Sequence, residues 1–241
     1  MNMKIILEKI CKFYKKKCIL DNLHITFSQY EILGLLGPNG TGKTSIFKLI
    51  TGISKPDKGK VLLNGGDITN VPMHQRARLG ICYLPQESSI FRRLTVKDNL
   101  KLALEELDYS EKKENNIIKS FTSDFQIDKT LNTFGSYISG GEKRKLEIAR
   151  AVIIKPKFLL LDEPFAGIDP ISISELQEII VNLNKSGIGI LITDHNVRET
   201  LKITHRSYIL SGNKILASGT TRQLIENKVV RESYLGTNFS L

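Results

Sequence analysis

Apolar positions along the chain follow two rhythms, one alternating and one helical. Ile5-Ile6-Leu7, Cys18-Ile19-Leu20 and Leu23-His24-Ile25-Thr26-Phe27 are short β-type runs separated by polar turns, and they predict an antiparallel β layer. Ile32-Leu33-Gly34-Leu35-Leu36 is a continuous apolar run of buried-strand type, and after it Ile46, Phe47, Leu49 and Ile50 recur at helical spacing. The turn Pro56-Asp57-Lys58-Gly59 leads into the strand Lys60-Val61-Leu62-Leu63 and a tight Asn64-Gly65 bend, which returns the chain to the β layer. Residues 72–79 read as a short basic helix and Ile81-Cys82-Tyr83-Leu84 as a buried strand. From 95 to 125 the period is helical: Val96, Leu100, Ala103 and Leu107 mark one face, Ile117, Phe121 and Phe125 a second, with Thr95 and Asp98 as a capping pair. Leu146, Ala149 and Val152 share a face of a later helix, and Ile173, Leu176, Ile180 and Leu183 that of another. Between and after these helices lie the strands Phe158-Leu159-Leu160-Leu161 and Gly189-Ile190-Leu191-Ile192-Thr193. Strands alternating with helices read as an α/β fold.

The strand at 32–36 runs into Gly37-Pro38-Asn39-Gly40-Thr41-Gly42-Lys43-Thr44, followed by Ser45, which fits the phosphate-binding loop pattern at every fixed position. Glycines let successive N–H groups turn inward around an anion, Lys43 supplies a point charge for the β- and γ-phosphates, and the Thr44 hydroxyl is placed to ligate Mg²⁺. A helix N-terminus behind the loop favours the same anion. A strand ending in Asp162-Glu163 is a second signal, because adjacent buried carboxylates need compensation and a metal ion supplies it. Asp162 suits the metal's shell, and Glu163 suits a water that attacks phosphate. Gln86 at another strand end could complete the metal shell. Ser139-Gly140-Gly141 at a helix start could form a second anion site, although on these residues alone a plain serine-glycine cap is the better reading. Asp169 and Pro170 suit a helix cap and first turn, and His195 at a third strand end could contact the γ-phosphate. Phe13 and Tyr14 both precede the loop, and either could stack on a base or pack into the β layer.

With 241 residues the chain can bury a sizeable core, and 41% apolar with 25% charged content excludes disordered and fibrous classes. No apolar run reaches bilayer length and the N-terminal stretch is too short for a secretory signal, so a cytoplasmic location is expected. Three cysteines without metal-ligand spacing read as reduced, mostly buried fillers. The charge of +10 raises nucleic acid or an anionic membrane surface as partners. Lys15-Lys16-Lys17 and Lys143-Arg144-Lys145 are the densest clusters, and without interleaved aromatic residues no specific nucleic acid is expected.

The order of these signals resembles the nucleotide-binding subunit of ABC transporters: phosphate loop 37–44, glutamine loop at Gln86, Ser139-Gly140-Gly141 signature, Asp162-Glu163 strand end, Asp169 turn and switch histidine His195. The resemblance spans nearly the whole chain. It implies a P-loop NTPase with a RecA-like core, an antiparallel β subdomain and a helical subdomain at about 87–155, all within one domain, 1–241. It implies ATP and Mg²⁺ as cofactors, Tyr14 as the base-stacking ring, and Lys43, Glu163 and His195 as catalytic groups. In such proteins two copies pair head to tail, with Ser139 and Gly141 closing on the partner's nucleotide, Asp169 at the interface, and a groove receiving the membrane subunit. Ile138 and Glu142 stand where Leu and Gln are commoner, which leaves the part played by Glu142 open.

Residues 76–81, 83–100, 162–172 and 193–200 and the ending Tyr234-Leu235-Gly236 are similar to the cytoplasmic ATPases of lipopolysaccharide export. That similarity implies powering lipopolysaccharide extraction from the inner membrane, and it marks Phe91 and Arg92 as partner contacts. Phe91 would be the apolar anchor, unless it packs within the helical subdomain. ATPases of branched-chain amino acid import look much alike, and soluble ABC ATPases of translation or DNA repair share the chemistry. The second group generally carries two such domains in one chain or a long coiled-coil insertion.

Overall fold

The computed structural model describes residues 2–236 and 239–241, apart from the side chain of Glu106. Two sheets face each other. The first is antiparallel, in the order β2-β1-β4-β5, from β1 (Lys4–Tyr14), β2 (Lys17–Ser28), β4 (Lys58–Leu63) and β5 (Gly66–Asp67). The second has the order β10-β9-β3-β8-β7-β6, from β3 (Ile32–Leu36), β6 (Ile81–Leu84), β7 (Phe158–Asp162), β8 (Gly189–Thr193), β9 (Arg206–Ser211) and β10 (Lys214–Gly219). Only the β10–β9 pair is antiparallel; β9, β3, β8, β7 and β6 run parallel.

Both faces of this second sheet are covered, which is why β3, β7 and β8 read as unbroken apolar runs. On one face Leu33, Leu35, Leu160 and Leu191 pack with Ile46, Phe47, Leu49 and Ile50 of α1 (Lys43–Thr51), and with Leu7, Ile25 and Val61 of the antiparallel sheet. The helix after the phosphate loop is therefore clamped between the two sheets. On the other face Leu159, Leu161, Ile190 and Ile192 meet α5 (Gly140–Val152) and α6 (Pro170–Lys185), and behind them α3 (Val96–Leu104) and α4 (Glu111–Asp124). A short α2 (Met73–Arg78) precedes β6, while α7 (Val197–Ile203) and α8 (Thr221–Glu226) close the β9 side.

Several expectations change in detail. The two runs at 18–20 and 23–27 belong to one strand, β2; the polar Asp21-Asn22 between them is a bulge with Asn22 at φ 50°, opposite a register shift in β1. Leu104 takes the core position expected of Leu107, which lies exposed in a turn beyond α3. Arg144 and Lys145 are buried, so that basic cluster is not a surface for lipid. The cysteines are half-buried and free, with burial pushing the Cys82 thiol up to about 11. The Asn64-Gly65 bend has both residues at positive φ, as a two-residue hairpin requires. No helix among the described residues is long and apolar enough to cross a membrane.

Candidate functional site

In an open parallel sheet ligands gather beyond the carboxyl ends of the strands. Here those ends bring together the 37–44 loop after β3, Gln86 after β6, Asp162 and Glu163 at β7, and Asp194 and His195 after β8. The loop itself needs its glycines. Gly37 and Gly42 have φ of 147° and 97°, and a Cβ would strike the Leu210 carbonyl at the first and come within 3.1 Å of the Ile19 side chain at the second. Pro38, Asn39 and Gly40 form the exposed crest, Thr41 ties its hydroxyl to the Pro38 carbonyl at 2.9 Å, and Thr44 and Ser45 open the helix. Lys43 is 8% exposed, and its ammonium donates to the carbonyls of Gly37 (2.7 Å) and Pro38 (3.0 Å), inside the space that the loop encloses. Burial lowers its pKa, and the carboxylates of Glu163 and Asp162 oppose that shift.

Asp162 accepts from the Tyr83 hydroxyl at 3.1 Å, and the Thr44 side chain lies beside its carboxyl. Burial raises its pKa; Tyr83, Thr44, Lys43 and Arg144 act the other way. Glu163 stands at φ 51°, a conformation rarely taken by a non-glycine residue and concentrated at functional sites. Its N–H donates to the Thr193 carbonyl at 2.8 Å, and its carboxylate lies 2.7 Å from His195 Nε2. The histidine is thus placed on the acid rather than on the loop. Asp194 is buried and accepts from the N–H groups of Phe165 and Asn196, which fixes the turn that carries His195.

Thr44 and Asp162 are the paired hydroxyl and carboxylate that a hydrated divalent ion takes. No cluster of three or more His, Cys, Asp and Glu among the described residues could hold a metal alone. That donor set fits Mg²⁺, which binds through one or two protein groups together with substrate phosphates and waters. Gln86 is exposed two residues beyond β6, with no partner for its amide among the described residues. Tyr14 ends β1 with its ring 45% exposed, and the Lys12 ammonium lies 5.5 Å from the ring centroid; Phe13 is exposed beside it.

The signature turn stands apart. Ser139 caps α5 in a reciprocal box with Glu142: its hydroxyl accepts the Glu142 N–H at 3.2 Å, and the Glu142 carboxylate accepts its N–H at 2.7 Å. Glu142 is therefore engaged in its own helix cap. Gly140 is exposed, and Gly141 packs so tightly on Ser172 that a Cβ there would overlap that side chain. Asp169 caps α6 through the N–H groups of Ile171 and Ser172 and the Ser172 hydroxyl, which holds its carboxyl below the usual range. Among the described residues no hydrogen bond or ion pair joins Ser139, Gly140 or Gly141 to the phosphate loop.

Sequence reasoning missed the support behind these groups. Arg144 donates to the carbonyls of Asp162 (3.0 Å), Glu163 (3.2 Å), Pro164 and Pro85 and pairs with Glu147 at 2.8 Å. Glu147 in turn accepts from Ser88 and Ser89. The loop beyond is equally built: buried Asn99 brackets the N–H and carbonyl of Phe91, and Arg150 reaches the Ser89 carbonyl and lies 5.1 Å from the Phe91 ring. Phe91 is left 47% exposed and Arg92 is exposed next to it, so the ring is not core packing. The Tyr234 hydroxyl also lies near the Gly37 backbone, a proximity that spacing gives no sign of.

Comparison with known proteins follows the same lines. The profile of the ABC transporter family matches residues 20–166. The chain is 47% identical to the lipopolysaccharide export system ATP-binding protein LptB of Haemophilus influenzae, over 97% of this chain and 98% of that protein. It is 45% identical to the protein of the same name from Escherichia coli K12, with the same coverage. Among solved structures, it is similar to an ATP-binding cassette of an ABC transporter in its ADP conformation, with a TM-score of 0.86, 25% identity, and 98% and 99% of the two chains covered.

Proposed function

The chain belongs to the ABC transporter family and is an ABC-type ATPase, and from that premise we propose that its hydrolysis of ATP powers extraction of lipopolysaccharide from the inner membrane. The single observation carrying the substrate is near-full-length similarity to the two export ATPases. The importer and soluble alternatives find no such support. The chain acts as one nucleotide-binding domain, on the cytoplasmic face of that membrane, paired with a second copy of itself and with integral subunits docked near Phe91 and Arg92.

In this reading Tyr14 stacks on the adenine and the 37–44 loop encloses the phosphates. Lys43 exchanges the Gly37 and Pro38 carbonyls for phosphate oxygens. Thr44 and Asp162, with Gln86 as a further candidate donor, would hold Mg²⁺, which would supply charge neutralisation on the phosphates. Glu163 accepts a proton from a water whose oxygen attacks the γ-phosphorus as the bond to the bridging oxygen breaks, and ADP leaves with that oxygen. His195 first holds the Glu163 carboxylate and is then free to turn to the γ-phosphate. Ser139, Gly140 and Gly141 close the site of the partner copy, with Asp169 fixing the neighbouring turn.

Glu163→Gln is expected to keep ATP binding and lose turnover by a hundredfold or more, on the order of a lost general base. Trapped with ATP and Mg²⁺ in solubilised native membranes, that variant should retain two integral subunits with periplasmic lipid-binding domains. Amino acid permease subunits in their place would point to import, and ribosomes or DNA ends would remove the transport role.

A further inference from the structure

Among the described residues two buried side-chain oxygens find no hydrogen-bond partner, Ser54 Oγ and Thr193 Oγ1. Ser54 lies beyond the far end of α1, away from the phosphate loop. Thr193 is the last residue of β8 and is fully buried. Its strand lies between β3, which leads into the loop, and β7, which ends in the two acids. The register sets Thr193 directly beside Asp162. Direct neighbours in a sheet project to the same face, and two residues back along each strand Leu191 and Leu160 pack on the α1 side. The Thr193 hydroxyl is therefore on the face where Asp162 meets Thr44.

A buried hydroxyl without a partner costs stability, and valine would fill the same space without that cost. We propose that Thr193 is a positioning residue for the divalent ion, its hydroxyl supplying to the Asp162 carboxylate, or to a water of the ion's shell, the hydrogen bond it lacks here. The proposal rests on the ATPase reading of the site. It also ties ion binding to the strand end that carries Asp194 and His195, because the Thr193 carbonyl already holds the Glu163 N–H.

Loss of a partner outside the metal's own ligands typically lowers metal affinity by 10–100-fold. The test follows thermal unfolding of wild type, Thr193→Val and Thr193→Ser at saturating ATP while Mg²⁺ is titrated. Without ligands the valine variant should unfold at or above the wild-type temperature. It should then need about tenfold more Mg²⁺ for half-maximal stabilisation, and the serine variant should match wild type. A valine variant with wild-type Mg²⁺ dependence would overturn the proposal. So would one that unfolds well below wild type without ligands, since the hydroxyl would then be structural. A wild-type protein that ATP and Mg²⁺ fail to stabilise would instead bring down the ATPase reading itself.

Discussion

Asp162 is buried, and the role proposed for it requires that it be charged. Burial is the largest influence on its carboxyl and raises its pKa against the opposing Tyr83, Thr44, Lys43 and Arg144. A carboxyl raised in the folded state favours folding while protonated and loses that contribution as pH rises through the folded pKa. Ionising this side chain therefore costs the nucleotide-free protein stability. Asp162→Asn keeps an acceptor for Tyr83 and removes the buried charge. Its melting temperature at pH 7 is expected to rise by roughly 2–4 °C for each kcal/mol relieved. The gain should vanish below about pH 4, where an ordinary aspartate is protonated. With ATP and Mg²⁺ the order should reverse, because ligand binding stabilises only the protein that binds. Unfolding curves at pH 4 and pH 7, with and without ligand, check all three, and an unchanged melting temperature at pH 7 would mean that the neighbours fully offset burial.

At the scale of elements, α5 and the loop it supports connect the strand-end carboxylates to the exposed Phe91. Arg144 grips the β7 end, Glu147 holds Ser88 and Ser89, and Arg150 and Asn99 hold the loop that presents Phe91. Asn99→Ala would leave the Phe91 N–H without its partner, while the Phe91 and Thr95 carbonyls keep the N–H groups of Leu94 and of residue 99 itself. A loss of about 1–3 kcal/mol is expected for such a buried deletion. Basal hydrolysis per folded molecule should persist while capture of the membrane subunits falls, which thermal unfolding and co-purification would measure together. This support was largely illegible in the sequence. The phosphate loop was readable because its requirements fall on consecutive residues, and the α5 core face because Leu146, Ala149 and Val152 repeat at helical spacing. Burial within Lys143-Arg144-Lys145 could not be read because, Glu147 apart, the partners are distant: backbone carbonyls at 162–164 for Arg144, and Glu175 for Lys145. The strands β9 and β10 and helix α8 went unread for a related reason. β10 lies at the sheet edge and is nowhere fully buried, so its side chains carry a weak pattern.

For the whole molecule, the telling feature is a separation. One chain carries a phosphate loop with its acids and a signature turn with its own completed cap, and among the described residues no hydrogen bond or ion pair joins the two. In the proposed pair Ser139, Gly140 and Gly141 would serve the nucleotide of the other copy. A head-to-tail pair with two-fold symmetry then contains two sites, each built from the loop of one copy and the signature of the other. This arrangement makes two dead variants complementary. Lys43→Ala removes the loop cation, and Ser139→Arg puts bulk and charge into the signature. A mixed pair spoils one site twice and leaves the other intact. Random pairing of equal amounts makes half of the pairs mixed, each with one of two sites, so activity should recover to about a quarter of wild type. Each variant alone should stay inactive. Hydrolysis measured across mixing ratios should peak at equal amounts, whereas a site complete within one chain would show no recovery at any ratio.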